Sequence, residues 1–398
     1  MSVHTSFLDA LTPSAIRAIT ARMRDKKRDG VNVVNFAGGM PDEATFPAAE
    51  FAAITAEFLR DEGGAALQYA ASDGYDPLRA SIAELMRKVG VETDFRHIVI
   101  TCGSQQALSY LTRALVEPGD VVVCEAPSYV GALDTFRTQQ ARVVGVEMDE
   151  DGMRMDVLEA ILRETRPRFI YTIPDFQNPT GRCMSLERRK QLAALAEQYD
   201  TYIIEDAPYS LIRFSGSGRP AVKSFDTTDR VIYLGSFSKT ICPGIRIGWI
   251  HADAHTLQQI IYLKMRDDLQ VCNLAQRLAD GYLRRYDFDA HLKDVSERYR
   301  RRRDQMLQAI EDSFPRDCHV VVPKGGIFLW VYLPERLDAQ TVFDVVFEHD
   351  LAFVPGTFFY PDRSGKNTMR LNFCTNDEAV IAQEIRRMGS IISDLAKM

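Results

Sequence analysis

Between residues 97 and 204 the sequence alternates short apolar runs with amphipathic segments. The apolar runs have strand length and lie at 97–101, 121–124, 141–146, 169–173 and 202–204. Helical patterns separate them, at 103–115, 129–138, 155–164 and 186–199. Strands and helices that alternate at this spacing predict an α/β fold with a mostly parallel sheet between two helical layers. Ligands of such sheets bind beyond the carboxyl ends of the strands.

The chain on either side of this region has a different pattern. An apolar run at 31–36 and amphipathic segments at 51–60 and 78–89 precede it, and long helical patterns fill residues 254–310. Strand-like runs then follow at 319–322, 327–332, 352–354 and 369–373, with a helical segment at 339–348. This last part predicts a smaller α+β unit.

Composition limits the partners that the chain is expected to have. The formal net charge of -7 argues against nucleic acid or an anionic membrane as the main ligand. The basic cluster of Arg298 and residues 300–303 lies within a helical apolar stripe, so we interpret it as a solvated helix face. Seven scattered cysteines without a Cys-x-x-Cys pair favour reduced thiols and a cytoplasmic location. We expect neither a secretory signal nor a membrane-spanning segment, since no apolar run is long enough.

A lysine follows the apolar run at 231–234. The next segment, 235–249, is Gly-Ser-Phe-Ser-Lys-Thr-Ile-Cys-Pro-Gly-Ile-Arg-Ile-Gly-Trp. A lysine at the end of a buried strand, here Lys239, is desolvated, and a neutral amine is a good nucleophile towards carbonyls. Ser236, Ser238 and Arg246 are able to bind a phosphate dianion beside it. An aldehyde that carries a phosphate suits such a site, so the pattern predicts pyridoxal phosphate (PLP). The alternative is a surface loop whose lysine and arginine are merely solvated.

Two further segments, each at the end of a predicted strand, contain groups that suit this cofactor. The turn of Gly103, Ser104 and Gln105 begins a helix, and its free backbone N–H groups form a second wall for a phosphate. Asp206 follows the strand at 202–204, where a carboxylate keeps a pyridine nitrogen protonated. The alternatives are an ordinary helix start for the turn and an N-cap or ion-pair role for Asp206. Glu205 is the rival acid.

Three other polar side chains complete the cofactor site that we expect. Tyr209 and the amide of Asn178 are able to donate to the 3-oxygen of the cofactor, which would lower the pKa of the nitrogen that links it to Lys239. Tyr129 is able to stack on the ring. The alternatives are a plain turn for the Asn-Pro-Thr-Gly sequence at Asn178 and a core position for Tyr129.

Six segments occur in the order found in one enzyme family. They are Gly-Ser-Gln-Gln-Ala-Leu, Pro-Asp-Phe-Gln-Asn-Pro-Thr-Gly, Glu-Asp-x-Pro-Tyr, Gly-Ser-Phe-Ser-Lys, Lys-Gly-Gly-Ile-Phe-Leu-Trp and Arg-Leu-Asn-Phe. With them the chain resembles the class I/II aminotransferases of PLP fold type I along nearly its whole length. The likeness is to the branch of 2-aminoadipate (LysN-type) and kynurenine/aminoadipate aminotransferases, which also includes the PLP half of MocR-type regulators.

The resemblance implies further roles. Arg370 would hold the α-carboxylate of the substrate together with Asn178, Gly39 would lie beside the substrate, and Arg17 would meet its side chain. Tyr69 would reach the cofactor phosphate of a neighbouring subunit, which implies a homodimer with shared active sites. The resemblance also implies a large PLP-binding domain at 51–288. Residues 1–50 would contribute to a small domain that residues 289–398 complete. The sequence departs from the branch at Ala207, where an acidic residue or Asn is common. The identity of the substrate is therefore left open.

The expected reaction is transamination of an L-amino acid, with 2-oxoglutarate as acceptor, by a ping-pong cycle through pyridoxamine phosphate. Lys239 would form the Schiff base and move the proton, with Asp206 and Tyr209 as the other catalytic residues. A PLP-dependent lyase, cyclase or oxidase is the alternative, because the fold does not fix the reaction. A regulator would need a DNA-binding domain ahead of this part. His251 and His255 have an i,i+4 spacing without the glutamate of a zinc protease, so we expect no metal site.

Overall fold

The computed structural model describes residues 14–397. In chain order its strands are β1 (Val34–Asn35), β2 (Ile98–Thr101), β3 (Val121–Ala126), β4 (Arg142–Asp149), β5 (Gly152–Met153), β6 (Phe169–Thr172), β7 (Tyr202–Asp206), β8 (Val231–Ser236), β9 (Gly248–His251), β10 (His319–Val321), β11 (Phe328–Tyr332), β12 (Leu351–Ala352), β13 (Val354–Pro355) and β14 (Thr368–Asn372).

The helices are α1 (Ala15–Arg28), α2 (Ala48–Asp61), α3 (Gly64–Leu67), α4 (Asp76–Arg87), α5 (Ser104–Leu115), α6 (Val130–Thr138), α7 (Met155–Thr165), α8 (Leu186–Gln198), α9 (Ala254–Asp267), α10 (Asn273–Arg285), α11 (Phe288–Ser313), α12 (Ala339–Glu348) and α13 (Glu378–Leu395). Short 3₁₀ segments lie at Glu43–Thr45, Phe95–His97, Val222–Phe225, Pro243–Ile245 and Gly356–Phe359.

The largest sheet has eight strands in the order β2-β9-β8-β7-β6-β3-β4-β5. Neighbours from β8 through β7, β6 and β3 to β4 are parallel. Strand β9 is antiparallel to both of its neighbours, and the two-residue β5 is antiparallel to β4. The prediction of a mostly parallel sheet is therefore confirmed, and this sheet has eight strands. The carboxyl ends of β3, β6, β7 and β8 lie along one edge, which is where ligands of such sheets bind.

Helices cover both faces of this sheet, as the unbroken apolar runs predicted. Alternate residues of β6 point in opposite directions. Phe169 and Tyr171 contact Phe136 of α6 edge-on, with ring centroids 5.2 and 5.5 Å away. Ile170 belongs to a separate apolar cluster on the other face, with Leu158 of α7 and Leu192 of α8. The fold is thus α/β with a buried central sheet.

The C-terminal part forms a smaller sheet in the order β10-β11-β14-β13, with antiparallel neighbours throughout. Strand β1 pairs in parallel with β12, so residues 34–35 lie beside residues 351–352. This pairing joins the N-terminal segment to the C-terminal part of the chain. The domain boundaries near residues 50 and 288 stay a prediction.

Several elements differ from the sequence expectations. The run at 31–36 contributes only the two residues of β1, and the helical region at 254–310 is divided among α9, α10 and α11. Helix α13 was missed, although its buried residues Ile381, Ile385, Met388 and Ile392 have a helical spacing. It packs tightly against the end of α11, where a Cβ on Gly389 would lie 2.8 Å from the ring of Phe314. Among residues 14–397, every helix is too short or too polar to cross a membrane.

Candidate active site

Lys239 lies in the turn that follows β8, at the edge where the parallel strands end. Its side chain is half-buried, and Nζ donates a hydrogen bond to the carbonyl oxygen of Gly39 at 2.6 Å. Burial lowers the pKa of Lys239 to about 8, and the charge of Arg370 acts in the same direction. A sizeable fraction of this amine is therefore neutral at mildly basic pH, which is the form that attacks a carbonyl.

Hydroxyl and guanidinium groups surround the same turn. Ser236 Oγ donates to Ser238 Oγ at 3.0 Å, and Arg246 Nη1 donates to Ser238 Oγ at 3.2 Å. Arg246 Nη2 also donates to the carbonyl of Cys102 at 3.1 Å, which connects this turn to the start of α5. Arg246 remains exposed, so its guanidinium is accessible to an anion from solvent. Donors of this kind bind phosphate.

The start of α5 forms the facing wall. Gly103 occupies the N-cap position with φ +73°, and no side chain caps the helix there. Only glycine fits, because a Cβ at Gly103 would overlap the guanidinium of Arg246. Gln105 donates from Nε2 to the carbonyl of Gly131 at 3.1 Å and accepts from the Tyr129 hydroxyl at 3.2 Å. The first N–H groups of such a helix have no intrahelical partner and attract anions.

Asp206 ends β7 and is 2% exposed. Its Oδ2 accepts a hydrogen bond from the Tyr171 hydroxyl at 2.8 Å, whereas its Oδ1 has no partner within the described chain. Burial raises the pKa of Asp206 to about 7, against the effect of the Tyr171 hydrogen bond. An orphaned, buried carboxylate oxygen is costly unless a donor reaches it, so it is well suited to a protonated ring nitrogen.

Glu205, the rival acid, points to the other face of the sheet because neighbouring strand residues alternate. Its carboxylate accepts hydrogen bonds from the backbone N–H groups of Val222 and Lys223, both at 2.8 Å. Burial raises the pKa of Glu205 to about 7, and the charge of Arg189 opposes that rise. Both oxygens are therefore engaged in holding a 3₁₀ segment.

Arg370 on β14 is 1% exposed and lies over the ring of Phe328, with its guanidinium carbon 3.9 Å from the centroid. It donates to Asn178 Oδ1 at 2.9 Å and to the carbonyl of Ala37 at 2.7 Å. Its Nε has no partner among residues 14–397, and no carboxylate of that range pairs with it. Burial lowers the pKa of Arg370 to about 10. A buried cation without a counter-ion is costly and favours an anionic ligand.

Tyr209 is buried beside these groups, with its ring centroid 6.0 Å from that of Phe328. Burial raises the pKa of its phenol well above the usual range, and a hydrogen bond with Asn178 acts in the opposite direction. Asn178 thus accepts a hydrogen bond from Arg370 and acts on the pKa of Tyr209. The phenol remains protonated at physiological pH and is available as a donor.

The structure leaves Arg17 and Tyr69 on the surface. Arg17 is exposed on the first turns of α1, and its charge slightly lowers the pKa of Tyr129, which burial raises overall. Tyr69 is 78% exposed, directly after α3. The backbone of Gly39, by contrast, lies at the site through its bond to Lys239.

The site also contains residues that the sequence did not single out. Tyr171 holds Asp206, and Phe328 supports Arg370, yet each contact joins different strands. No local pattern around Tyr171 indicates such a contact, whereas Phe328 lies within the quoted Lys-Gly-Gly-Ile-Phe-Leu-Trp segment. Of the two histidines, His251 has its Nε2 2.9 Å from Thr93 Oγ1. Across residues 14–397 no group of three or more potential metal ligands is found.

These residues fit PLP. The amine of Lys239 suits the aldehyde of PLP, and the donors around Arg246 suit its phosphate. The Oδ1 of Asp206, unpaired within the described chain, suits its protonated ring nitrogen. When bound, PLP supplies the carbonyl that condenses with amines and a ring that accepts the electrons of a broken Cα–H bond. The fold and this donor set together define a PLP-dependent enzyme.

Comparisons with known proteins agree with this assignment. Residues 31–387 match the family described as aminotransferase class I and II. The chain is 40% identical over 372 residues to aromatic-amino-acid aminotransferase 1 of Thermococcus litoralis, covering 92% of this chain and 89% of the relative. It is 38% identical over 385 residues to the 2-aminoadipate transaminase of Thermus thermophilus, covering 96% and 95% respectively. The solved structure of a kynurenine aminotransferase from Pyrococcus horikoshii, in complex with PMP, has a TM-score of 0.94 at 35% identity and covers 100% of this chain and 98% of that one.

The chain therefore belongs to the class I and II aminotransferase family, and it is a PLP-dependent transaminase of fold type I. The resemblance to the branch of 2-aminoadipate and kynurenine/aminoadipate aminotransferases is confirmed by these relatives. None of the similarities favours the lyase, cyclase or oxidase alternative.

Proposed function

We propose that Lys239 binds the cofactor covalently and then moves the proton at the α-carbon of the substrate. Its lowered pKa and its place at the strand ends support this role. Asp206 would accept a hydrogen bond from the ring nitrogen through Oδ1, and Tyr209 and Asn178 would donate to the 3-oxygen. Ser236, Ser238, Arg246 and the turn of Gly103, Ser104 and Gln105 would hold the phosphate, with Tyr129 against the ring.

We propose that Arg370 binds the α-carboxylate of the amino acid. The observation that carries this proposal is the buried guanidinium without a counter-ion in the described chain, close enough to Lys239 to lower its pKa. Asn178 would fix the orientation of Arg370 through their 2.9 Å hydrogen bond. The carbonyl groups of Ala37 and Gly39, which accept from Arg370 and Lys239, line the same space.

The substrates that we propose are L-amino acids with an aromatic or a distal carboxylate side chain, with 2-oxoglutarate as amino acceptor. The named relatives act on aromatic amino acids and 2-aminoadipate, which supports both classes. Arg17 would bind the distal carboxylate of glutamate, 2-oxoglutarate or 2-aminoadipate. Because it is exposed at the start of α1, it would turn aside when the side chain is aromatic.

Arg17→Gln should separate the two substrate classes. We expect KM for 2-oxoglutarate and glutamate to rise about 10-fold, the scale of one lost charge-assisted hydrogen bond, while KM for aromatic donors changes less than about 2-fold. The measurement is steady-state kinetics with each donor. Arg24→Gln, an exposed arginine further along the same helix, is the matched control and should change neither value. An equal rise in KM for the acidic and the aromatic substrates would contradict this role of Arg17.

We propose that the protein is a homodimer with shared active sites. Leu67 and Tyr69 are 65% and 78% exposed, and their segment lies against residues 270–273, where Asn273 donates to the carbonyl of Ala66 at 3.2 Å. Tyr262 and Met265 are exposed three residues apart on α9, and Leu269 is exposed just beyond the end of that helix. An exposed apolar patch of this kind is typical of a protein interface. A second copy would bury it and bring Tyr69 to the partner's phosphate site.

Mixing two inactive variants tests this arrangement. Lys239→Ala chains and Tyr69→Phe chains should together regain up to roughly a quarter of wild-type activity, because half of randomly mixed dimers each contain one intact site. Subunit exchange is verified with tagged chains, and activity is measured before and after mixing. The control is a mixture of Lys239→Ala and Asp206→Asn chains. Both residues act within the same chain, so these mixed dimers should regain no activity. If verified mixed dimers stay as inactive as the parents, Tyr69 does not act across an interface.

We also propose that residues 14–50 and 289–397 form the small domain, and residues 51–288 the large one. Residues 1–13 and 398, which the sequence assigned to the small domain, lie outside the described residues. The pairing of β1 with β12 supports the contribution of both chain ends. A cytoplasmic location is supported by the seven cysteines, all of which are free thiols.

A further inference from the structure

A chain of partly buried polar side chains lies behind the turn at Cys102 and Gly103. Gln106, in the first turns of α5, accepts a hydrogen bond from the backbone N–H of Cys102 through Oε1 at 2.7 Å. Its Nε2 donates to Asp268 Oδ2, also at 2.7 Å. Asp268 immediately follows α9, so this side chain connects two helices that are separate in sequence.

A lysine at the far end balances the charge of Asp268. Lys264 is fully buried, and its Nζ lies 3.3 Å from Asp268 Oδ1. Burial lowers the pKa of Lys264, and Asp268 opposes that shift. The catalytic scheme above uses neither residue. A buried lysine is costly unless an acid pairs with it, and Asp268, whose side chain is 27% exposed, is that acid here.

The pair fixes the orientation of the Gln106 amide. A carboxylate only accepts hydrogen bonds, so the NH₂ group of Gln106 faces Asp268 and its oxygen must face Cys102. The carbonyl of the same Cys102 accepts from Arg246 Nη2 at 3.1 Å. The backbone of Cys102 is therefore held on both sides, at its N–H by Gln106 and at its carbonyl by Arg246. Cys102 leads into Gly103 and the first N–H groups of α5.

We propose that Gln106, Asp268 and Lys264 are positioning residues for the phosphate of the cofactor. They fix the backbone N–H of Cys102 so that the N–H groups at the start of α5 point at the phosphate, and Lys264 neutralises an acid that would otherwise repel the dianion. This proposal rests on the proposed function, which places the phosphate at this turn. The three residues act on the turn and touch neither the ring nor the substrate carboxylate.

The test compares PLP with pyridoxal, which has no phosphate. We would titrate the apo-protein with each and measure the two dissociation constants from the visible absorbance, with no turnover involved. Gln106→Met keeps the side-chain length but removes both hydrogen bonds. We expect its Kd for PLP to rise about 5- to 10-fold, while its Kd for pyridoxal stays within about 2-fold. Asp268→Asn keeps the volume and weakens the hold on Gln106, but it also removes the acid, so the Kd for PLP should rise by a smaller factor.

Asp267→Asn is the matched control. Asp267 neighbours Asp268 and pairs with Arg113, so it also joins α9 to α5, but at an exposed position. Both dissociation constants should stay at wild-type values there. Lys264→Met should raise the Kd for PLP, because it leaves the charge of Asp268 unbalanced. Adding Asp268→Asn to that variant should lower the Kd again in part. A structural role alone would not produce a loss of affinity that is confined to PLP.

The outcomes separate this proposal from the one on which it rests. If wild type binds pyridoxal as tightly as PLP, or Arg246→Gln leaves the preference for PLP intact, the assigned phosphate site is wrong. If Arg246→Gln reduces the preference but Gln106→Met and Asp268→Asn do not, only the positioning role is overturned. An equal rise in the Kd values for PLP and pyridoxal would also overturn the positioning role. If Gln106→Met fails to fold, the volume-conserving Asp268→Asn decides the question in the same way.

Discussion

Lys239→Ala should remove both the visible absorbance of the lysine-bound cofactor and the covalent link that borohydride traps. Transamination should fall by at least roughly 10²- to 10⁴-fold, the usual contribution of a positioned proton-transfer group. The measurements are absorbance spectra, mass spectrometry after borohydride reduction, and initial rates. Lys239 is expected to react because burial and Arg370 lower its pKa to about 8, so its amine is partly neutral.

Lys190→Ala is the control for this experiment, because Lys190 is an exposed lysine on α8. It should keep the spectrum, the trapped link and the rate of the wild type. A borohydride-trapped adduct that persists in Lys239→Ala, on the peptide of another lysine, would contradict the assignment.

Asp206→Asn should keep the cofactor but lose most of the turnover. The amide still fills the space and still accepts from Tyr171, but it carries no charge to keep the ring nitrogen protonated. We expect kcat to fall about 10²- to 10³-fold, comparable with the loss of one preorganised electrostatic partner. Cofactor content is measured by absorbance after alkaline release, and kcat by steady-state kinetics with saturating substrates.

Glu205→Gln is the matched control, since it changes the adjacent carboxylate of the same strand. Glu205 holds the N–H groups of Val222 and Lys223, and an amide offers only one oxygen to these two donors. We expect a lower Tm, with kcat close to wild type. If Glu205→Gln lost turnover while Asp206→Asn kept it, the two carboxylates would have exchanged roles.

Local motifs carried most of what the sequence could predict. Lys239, Ser236, Ser238 and Arg246 lie within one short segment, so their spacing alone indicated a phosphate beside an amine. The alternation of apolar and amphipathic runs likewise indicated the central sheet, because strand and helix periods differ.

Contacts between distant segments were harder to predict. Asn178 and Arg370 are 192 residues apart, and only the packing of β14 against the loop after β6 brings their side chains together. Their pairing was implied by the family resemblance and not by any spacing. The choice between Glu205 and Asp206 depended on which face of β7 meets the site, and adjacent positions in a strand do not reveal this. Tyr171 was missed for the same reason, since its partner lies on the next strand.

The most direct test of the whole account is a half-reaction followed by absorbance. L-glutamate, and separately an aromatic L-amino acid, is added to the holoenzyme without any 2-oxo acid. The visible band of the lysine-bound cofactor should disappear as the amine form of the cofactor accumulates, with one 2-oxo acid released per site. Adding 2-oxoglutarate should then restore the band. Continued product formation beyond one equivalent per site without an acceptor would contradict transamination and would indicate a lyase, cyclase or oxidase.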